Sequence, residues 1–163
     1  MSKEIRSIKI KQYFDSDPDT SFLGEYSNKR AKFSFDRQFL GDMNRNEYRY
    51  FNPYPNPLTG KTQKEKKELY QWAKQNYERM ESLNNQNWFF FGLVVEAEII
   101  INGVIQNISS GGLWGIESDS DRSYLQEIIK DEITDLKDQL KEIGFSDEDI
   151  KDIEIEYNED KFY

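Results

Sequence analysis

Residues 88–109 constrain the fold more than any other part of the chain. Trp88 to Ile101 is the most hydrophobic run in a sequence whose mean hydropathy is -0.90. Its enrichment in Val, Ile and Phe favours a strand. Glu96 and Glu98, two residues apart, fall on one face of that strand. Asn102-Gly103 follows at once, and this dipeptide suits a type I′ turn, which needs positive φ at both central residues. Val104 to Ser109 then reads as the return strand.

Two amphipathic helices need a face to bury against. The first is expected to begin at Thr62, where Thr62 and Glu65 make a capping box. Leu69, Trp72, Ala73, Tyr77, Met80 and Leu83 recur at helical spacing, and Asn84 to Asn87 ends the helix. The second is expected from about Ser120 to Ile143, closed by Gly144, with Phe145 making a Schellman-type contact. Its predicted buried side is Tyr124, Leu125, Ile128, Ile129, Ile133, Leu136, Leu140 and Ile143. Residues 5–14 read as a first strand, and residues 31–35 and 48–51 as short strands. Pro53, Pro55 and Pro57 stop regular structure. Ser146 to Asp149 looks like a short helical start, and Ile153, Ile155 and Tyr157 alternate as a last half-buried strand. The expected architecture is α+β, an antiparallel sheet around the central hairpin with both helices packed on it. At 163 residues the chain suits a single domain, 1–163. Its 24 large rings (11 Phe, 10 Tyr, 3 Trp) supply apolar area that the polar average hides.

Composition excludes several chemistries. There is no cysteine and no histidine. Thiol nucleophiles, disulfides, Cys/His zinc sites and Ser-His-Asp triads are therefore out of reach. No cofactor is expected. The first residues lack an apolar signal core, and no run reaches the ~18 apolar residues of a membrane span, so the expectation is a cytoplasmic protein with no membrane contact.

The net charge of -9 is unevenly spread: residues 1–80 hold 16 basic and 11 acidic side chains, residues 81–163 hold 6 and 20. Within the acidic half, residues 109–121 join the hairpin to the second helix. Gly111, Gly112 and Gly115 bracket Trp114, and Glu117, Asp119 and Asp121 follow at every second position. Such a junction can bring backbone close to a partner and gathers negative charge at a helix start. Ser118 and Asp121 also form a capping-box variant, which gives those carboxylates a purely structural role. In the helix itself, Glu127, Asp131, Asp135, Asp138 and Glu142 are spaced 4, 4, 3 and 4 apart, one stripe opposite the apolar face. That stripe is about 22 Å long. Duplex DNA would hold roughly 13 charges over that length, so the helix alone cannot imitate it; Glu154, Glu156, Glu159 and Asp160 would have to join. A solvated helix face is the plainer reading of the same residues.

Other motifs are weaker. Gly60-Lys61-Thr62 is like the end of a phosphate-binding loop, but Pro55 stands where that loop needs a glycine. Asp15, Asp17 and Asp19 have the opening spacing of a calcium loop, but Thr20 and Tyr26 stand where glycine and a bidentate Glu are needed. They are candidate cation ligands on residue type alone, and a polar turn with Asx-type bonds explains them as well. Arg45, Tyr48, Arg49, Tyr50 and Phe51 interleave bases and rings in the manner of single-strand binders, although the acidic remainder would repel a polyanion.

Three segments together, Asp17-Pro-Asp-Thr-Ser-Phe-Leu-Gly-Glu-Tyr26, Arg45-Asn-Glu-Tyr-Arg-Tyr-Phe-Asn-Pro53 and Ser110-Gly-Gly-Leu-Trp-Gly-Ile-Glu-Ser-Asp-Ser-Asp121, resemble a family of small uncharacterised proteins encoded by phages, plasmids and other mobile elements. The third segment is the specific one. The resemblance implies a mobile-element setting and transfers no catalytic residue. The leading expectation is a non-enzymatic acidic protein that inhibits a host nucleic-acid-processing or defence complex. Its partner would be a protein with a basic, nucleic-acid-binding surface, met by Trp114, Glu117, Asp119, Asp121, Glu127, Asp131, Asp135, Asp138 and Glu142. The alternative is a metal-dependent enzyme acting on phosphate esters through Asp15, Asp17 and Asp19 with Glu117, Asp119 and Asp121.

Overall fold

The computed structural model describes residues 2–37 and 48–163. The strands are β1 (Lys3–Phe14), β2 (Gly24–Ser27), β3 (Phe35–Asp36), β4 (Tyr50–Pro53), β5 (Phe90–Ile101), β6 (Val104–Ser109), β7 (Leu113–Glu117) and β8 (Ile155–Phe162). The helices are α1 (Gln63–Asn84), α2 (Arg122–Glu142) and α3 (Asp147–Lys151), with one 3-10 turn at Pro57–Thr59. The class is α+β. The chain clusters into two compact units, one of Met1–Pro18 with Phe89–Tyr163, the other Asp19–Trp88. The charge asymmetry follows this division. The first unit holds 10 basic and 22 acidic residues, net -12; the second holds 12 and 9, net +3.

The first unit is a sheet in the order β6-β5-β1-β8, with β7 also on β5. Asn102 (φ 50) and Gly103 (φ 77) make the expected β5–β6 turn. β1 runs antiparallel to β5, and a bulge between Ile5 and Ser7 reconciles its sequence with the sheet. Ile5 and Ile8 are an odd number apart, so a regular strand would aim them to opposite faces. The extra residue lets Ile5, Ile8 and Ile10 all enter the core. There they meet Phe91, Leu93, Val95, Ala97 and Ile99 of β5 and Ile128, Leu136 and Leu140 of α2. α2 ends as expected: Gly144 is at φ 99, Phe145 N–H donates to the Leu140 carbonyl (3.0 Å), and Phe145 is buried. Tyr124 and Ile143, at the ends of the expected apolar stripe, are exposed instead. The last strand runs parallel to β1, so the sheet is mixed, not wholly antiparallel. Its register jumps between Ile10 and Gln12, and buried Gln12 spans the jump by donating to the carbonyls of Glu159 and Lys161.

The second unit is a three-stranded antiparallel sheet, order β2-β4-β3, with α1 against β2 and β4. Within its unit α2 lies on the hairpin sheet, and α1 covers this smaller sheet. Thr62 caps α1 by accepting from Glu65 N–H (3.1 Å), while the Glu65 carboxylate takes the Lys61 N–H (2.7 Å). The buried face of α1 is Ala73, Tyr77, Met80 and Glu81, and Trp72 is 53% exposed, contrary to the expected stripe. The rotation has a cause in Arg37. That guanidinium is 1% exposed and forks onto Glu81, Nε to Oε1 at 2.7 Å and Nη2 to Oε2 at 3.2 Å. Burial works against its charge, but Glu81, together with the Tyr26 and Tyr77 phenols, more than compensates and holds its pKa above the ordinary value. Residues 31–34 do not form the expected strand, which is confined to Phe35–Asp36. Tyr77 packs edge-on to Phe35 (4.8 Å) and Phe51 (5.2 Å) at the centre of this core.

Candidate functional site

The glycine junction is a broken edge strand. β6 and β7 both pair antiparallel with β5, and residues 110–112 interrupt them. Buried Ser110 fills the gap: its N–H donates to the Val95 carbonyl (2.8 Å) and its Oγ accepts from Val95 N–H (3.0 Å). The next two amides leave the ladder and meet α2. Gly111 N–H donates to Asp135 Oδ2 at 2.7 Å, and Gly112 N–H to Glu132 Oε2 at 2.9 Å. Gly112 is at φ 80, where an L side chain is strained, and a Cβ there would lie 3.0 Å from a Val94 methyl. The close backbone approach expected of the glycines is thus made to the chain's own helix.

Trp114 sits on the opposite face of the sheet from α2. Its six-membered ring covers Gly92, where a Cβ would fall 2.3 Å from the nearest ring atom, and its indole is 50% exposed. Tyr13 lies beside it at 6.1 Å. On this face three carboxylates are matched by cations of β1. Lys11 pairs with Glu96 (2.9 Å), Arg6 with Glu98 (3.2 Å) and Lys9 with Glu156 (3.8 Å). Tyr13 O–H also donates to Glu96 (2.6 Å). Burial and this carboxylate push the Tyr13 phenol up to about 12. Burial pushes Glu96 upward, but Tyr13 and Lys11 together hold it below its ordinary value.

The carboxylate stripe of α2 divides. Glu127, Asp131, Asp138 and Glu142 are exposed, and among the described residues none of them lies within ion-pair distance of a Lys or Arg. Asp135 is drawn in by Gly111 and Gln139. Lys141, on the same helix, is taken by Asp147 (2.7 Å). Glu156, which the stripe would need in order to extend, faces Lys9 instead.

At the helix start the capping box expected of Ser118 and Asp121 does not form. Ser118 Oγ accepts from Phe89 N–H (2.9 Å), and Asp121 is the N-cap with no side-chain hydrogen bond to the helix. Glu117 ends β7, and Asp119 is exposed in the turn that follows. The Asp-rich turn uses its oxygens locally. Asp15 accepts from Asp17 N–H (3.2 Å) and Gly115 N–H (3.1 Å), and Asp19 from Ser21 N–H (2.9 Å). The Ser21 side chain, and then its amide, holds the Asp19 carboxyl below its usual range. Among the described residues no three carboxylates converge where an ion could be held. Arg45 lies outside the described residues. Arg49 is engaged by Asp36 (3.0 Å), Tyr48 stacks on Tyr26, and Phe51 is fully buried, so these side chains serve packing.

Sequence reasoning missed Glu132, whose only motif-level signal is its i, i+3 spacing to Asp135. It also missed the Tyr13–Glu96–Lys11 cluster, which spacing within β5 could half reveal. No helix among the described residues is long and apolar enough to cross a membrane. No family model, no curated protein and no solved structure matches the chain.

Proposed function

We propose that this chain is a non-enzymatic binding protein that docks a basic protein surface through the outer face of α2. The observation that supports this reading is a contrast within one unit. Three carboxylates on the open sheet face, Glu96, Glu98 and Glu156, are each matched by a β1 cation, whereas Glu127, Asp131, Asp138 and Glu142 stand exposed with no Lys or Arg in ion-pair distance among the described residues. Unmatched like charges along one helix destabilise it slightly, by a few tenths of a kcal/mol per i, i+4 pair. A basic partner relieves that repulsion. Four charges over about 22 Å fall short of a duplex, so the helix complements a basic patch and does not imitate DNA. Trp114, on the far side of the sheet, belongs to a separate surface.

The resemblance to mobile-element proteins supplies the setting: inhibition, in the cytoplasm, of a host nucleic-acid-processing or defence complex whose nucleic-acid-binding surface is the basic patch. Capture from a host lysate on the immobilised protein, followed by a salt gradient, tests this. Basic proteins released between roughly 0.2 and 0.5 M salt are the expected result, because screening shortens to a few ångströms over that range. Recovery only of proteins that salt does not release, or of none, overturns it.

A further inference from the structure

The carboxylate flank of α2 accompanies an open strand edge. α2 runs along β5 in the same direction. It starts soon after Glu117, the partner of Phe90, and the Ile143 carbonyl at its end accepts from Lys3 Nζ, beside Ile101. Glu132 and Asp135 reach Gly112 and Gly111, which follow β6, so this flank of the helix faces the β6 edge. At about 100° per residue, Asp131, Asp138 and Glu142 lie within ~60° of Asp135 around the helix, whereas Lys130, Lys137 and Lys141 lie ~120–160° away. The flank toward β6 is therefore acidic, with no cation of the same helix to balance it.

The edge itself offers unused backbone. β6, Val104-Ile-Gln-Asn-Ile-Ser109, has no charge and no proline, and Val104 and Ile105 are 57% and 54% exposed. The two-residue turn makes Ile101 and Val104 a hydrogen-bonded pair. Val104, Gln106 and Ile108 thus direct their N–H and C=O groups to β5, and Ile105, Asn107 and Ser109 direct theirs away from the sheet. Among the described residues no other segment bonds the outward groups. Away from α2 the edge is neutral: Ile105, Asn107 and Ser109 stand across from Ile100, Glu98 and Glu96, and both glutamates are paired, with Arg6 and Lys11.

We propose that β6 accepts an extended basic segment of the partner as an added antiparallel strand. This rests on the reading of α2 as the dock for a basic surface, and it states which part of the partner enters and in what conformation. The residues of an added strand that exchange hydrogen bonds with Ile105, Asn107 and Ser109 share the neutral face, and the residues between them lie on the face of α2. The matching segment alternates, an uncharged residue on the neutral face and Lys or Arg toward Asp138 and Glu142. The unused backbone groups select an extended chain, and the acidic flank selects its charge. So short an edge binds weakly alone; a partner that also meets the outer face of α2 gains from both contacts.

The probe is acetyl-Lys-Val-Lys-Thr-Lys-Val-Lys-amide, titrated at low salt into the full chain and followed by amide exchange. The amides of Ile105, Asn107 and Ser109 are expected to become protected, and those of Val104, Gln106 and Ile108 to stay unchanged. N-methylation of the Val and Thr residues keeps the peptide's charge, removes the amides that pair, and should weaken binding at least about tenfold with the protein unaltered. Asn107→Pro, which removes an outward N–H and no inward one, and Asp138→Lys with Glu142→Lys should each weaken it comparably. Equal binding of the N-methylated peptide, protection at other amides, or indifference to the double reversal overturns the proposal. A peptide that does not bind while the unaltered chain still captures salt-released basic proteins also overturns it, and leaves the docking face of α2 standing. Absence of both peptide binding and capture overturns both readings.

Discussion

Asp135 accepts a hydrogen bond from the Gly111 amide at 2.7 Å, and so a carboxylate of the α2 stripe belongs to the fold and not to the surface. Asp131, one turn earlier, is exposed. The two are alike by spacing and differ in what they do. Asp135→Asn weakens a charge-assisted bond and is expected to cost about 1–2 kcal/mol. For a chain of this size that lowers the melting temperature by roughly 2–8 °C. Asp131→Asn should stay within about 0.5 kcal/mol. Equal melting temperatures for the two variants would contradict the division of the stripe.

Gly92 and Trp114 form a second such pair. A methyl group at Gly92 cannot coexist with the indole above it. Gly92→Ala should cost about 1–3 kcal/mol and change the near-ultraviolet dichroism as Trp114 is displaced. In a Trp114→Ala background most of that penalty should vanish, a coupling that a double-mutant cycle reads directly. An undiminished penalty in that background would place the conflict elsewhere.

The Tyr13–Glu96–Lys11 cluster makes two pH expectations. Glu96 titrates below its ordinary value in the fold, so its contribution is present above about pH 4.5 and is lost as pH falls through the lowered value. Tyr13 is raised from 10.0 to about 12, so its contribution is present below pH 10 and is lost as pH rises toward 12. Glu96→Gln should flatten the acid limb of the stability profile and return one phenol, followed by absorbance near 295 nm, toward 10. A phenol titration unchanged by Glu96→Gln would contradict the assignment.

The buried Arg37–Glu81 fork should behave as an all-or-none pair. Glu81→Gln leaves a buried guanidinium without its counter-charge and is expected to cost about 3–5 kcal/mol. Arg37→Met with Glu81→Leu should cost less than Glu81→Gln alone, since two apolar residues need no partner. Denaturant unfolding of both variants checks the order; the reverse order would contradict it.

These pairs mark what the sequence made legible and what it did not. Local devices were readable: the Asn102-Gly103 turn, the Thr62 cap and the Gly144 stop act within a few residues. β7 was not readable, because Gly112 and Gly115 break its alternation and its pairing partner, Phe90 to Leu93, is distant in sequence. The burial of Glu81 was not readable because Arg37, which draws it in, is 44 residues away. Asp135 looked like Asp131 for the same reason, its partner being 24 residues back. The home of α1 could not be read from its apolar stripe, since a stripe marks which side of a helix is buried and not which sheet covers it. At the site, the residues of the stripe were visible; which of them remain outward depends on contacts that spacing cannot encode.

Charge reversal at the outer face tests the central claim most directly. Asp131→Lys, Asp138→Lys and Glu142→Lys together spare Asp135 and Glu132 and therefore the glycine junction. The triple variant is expected to keep the melting temperature within a few degrees and to lose the salt-released basic proteins that the unaltered chain captures. Capture of the same proteins, released at the same salt, by a folded triple variant would contradict the account.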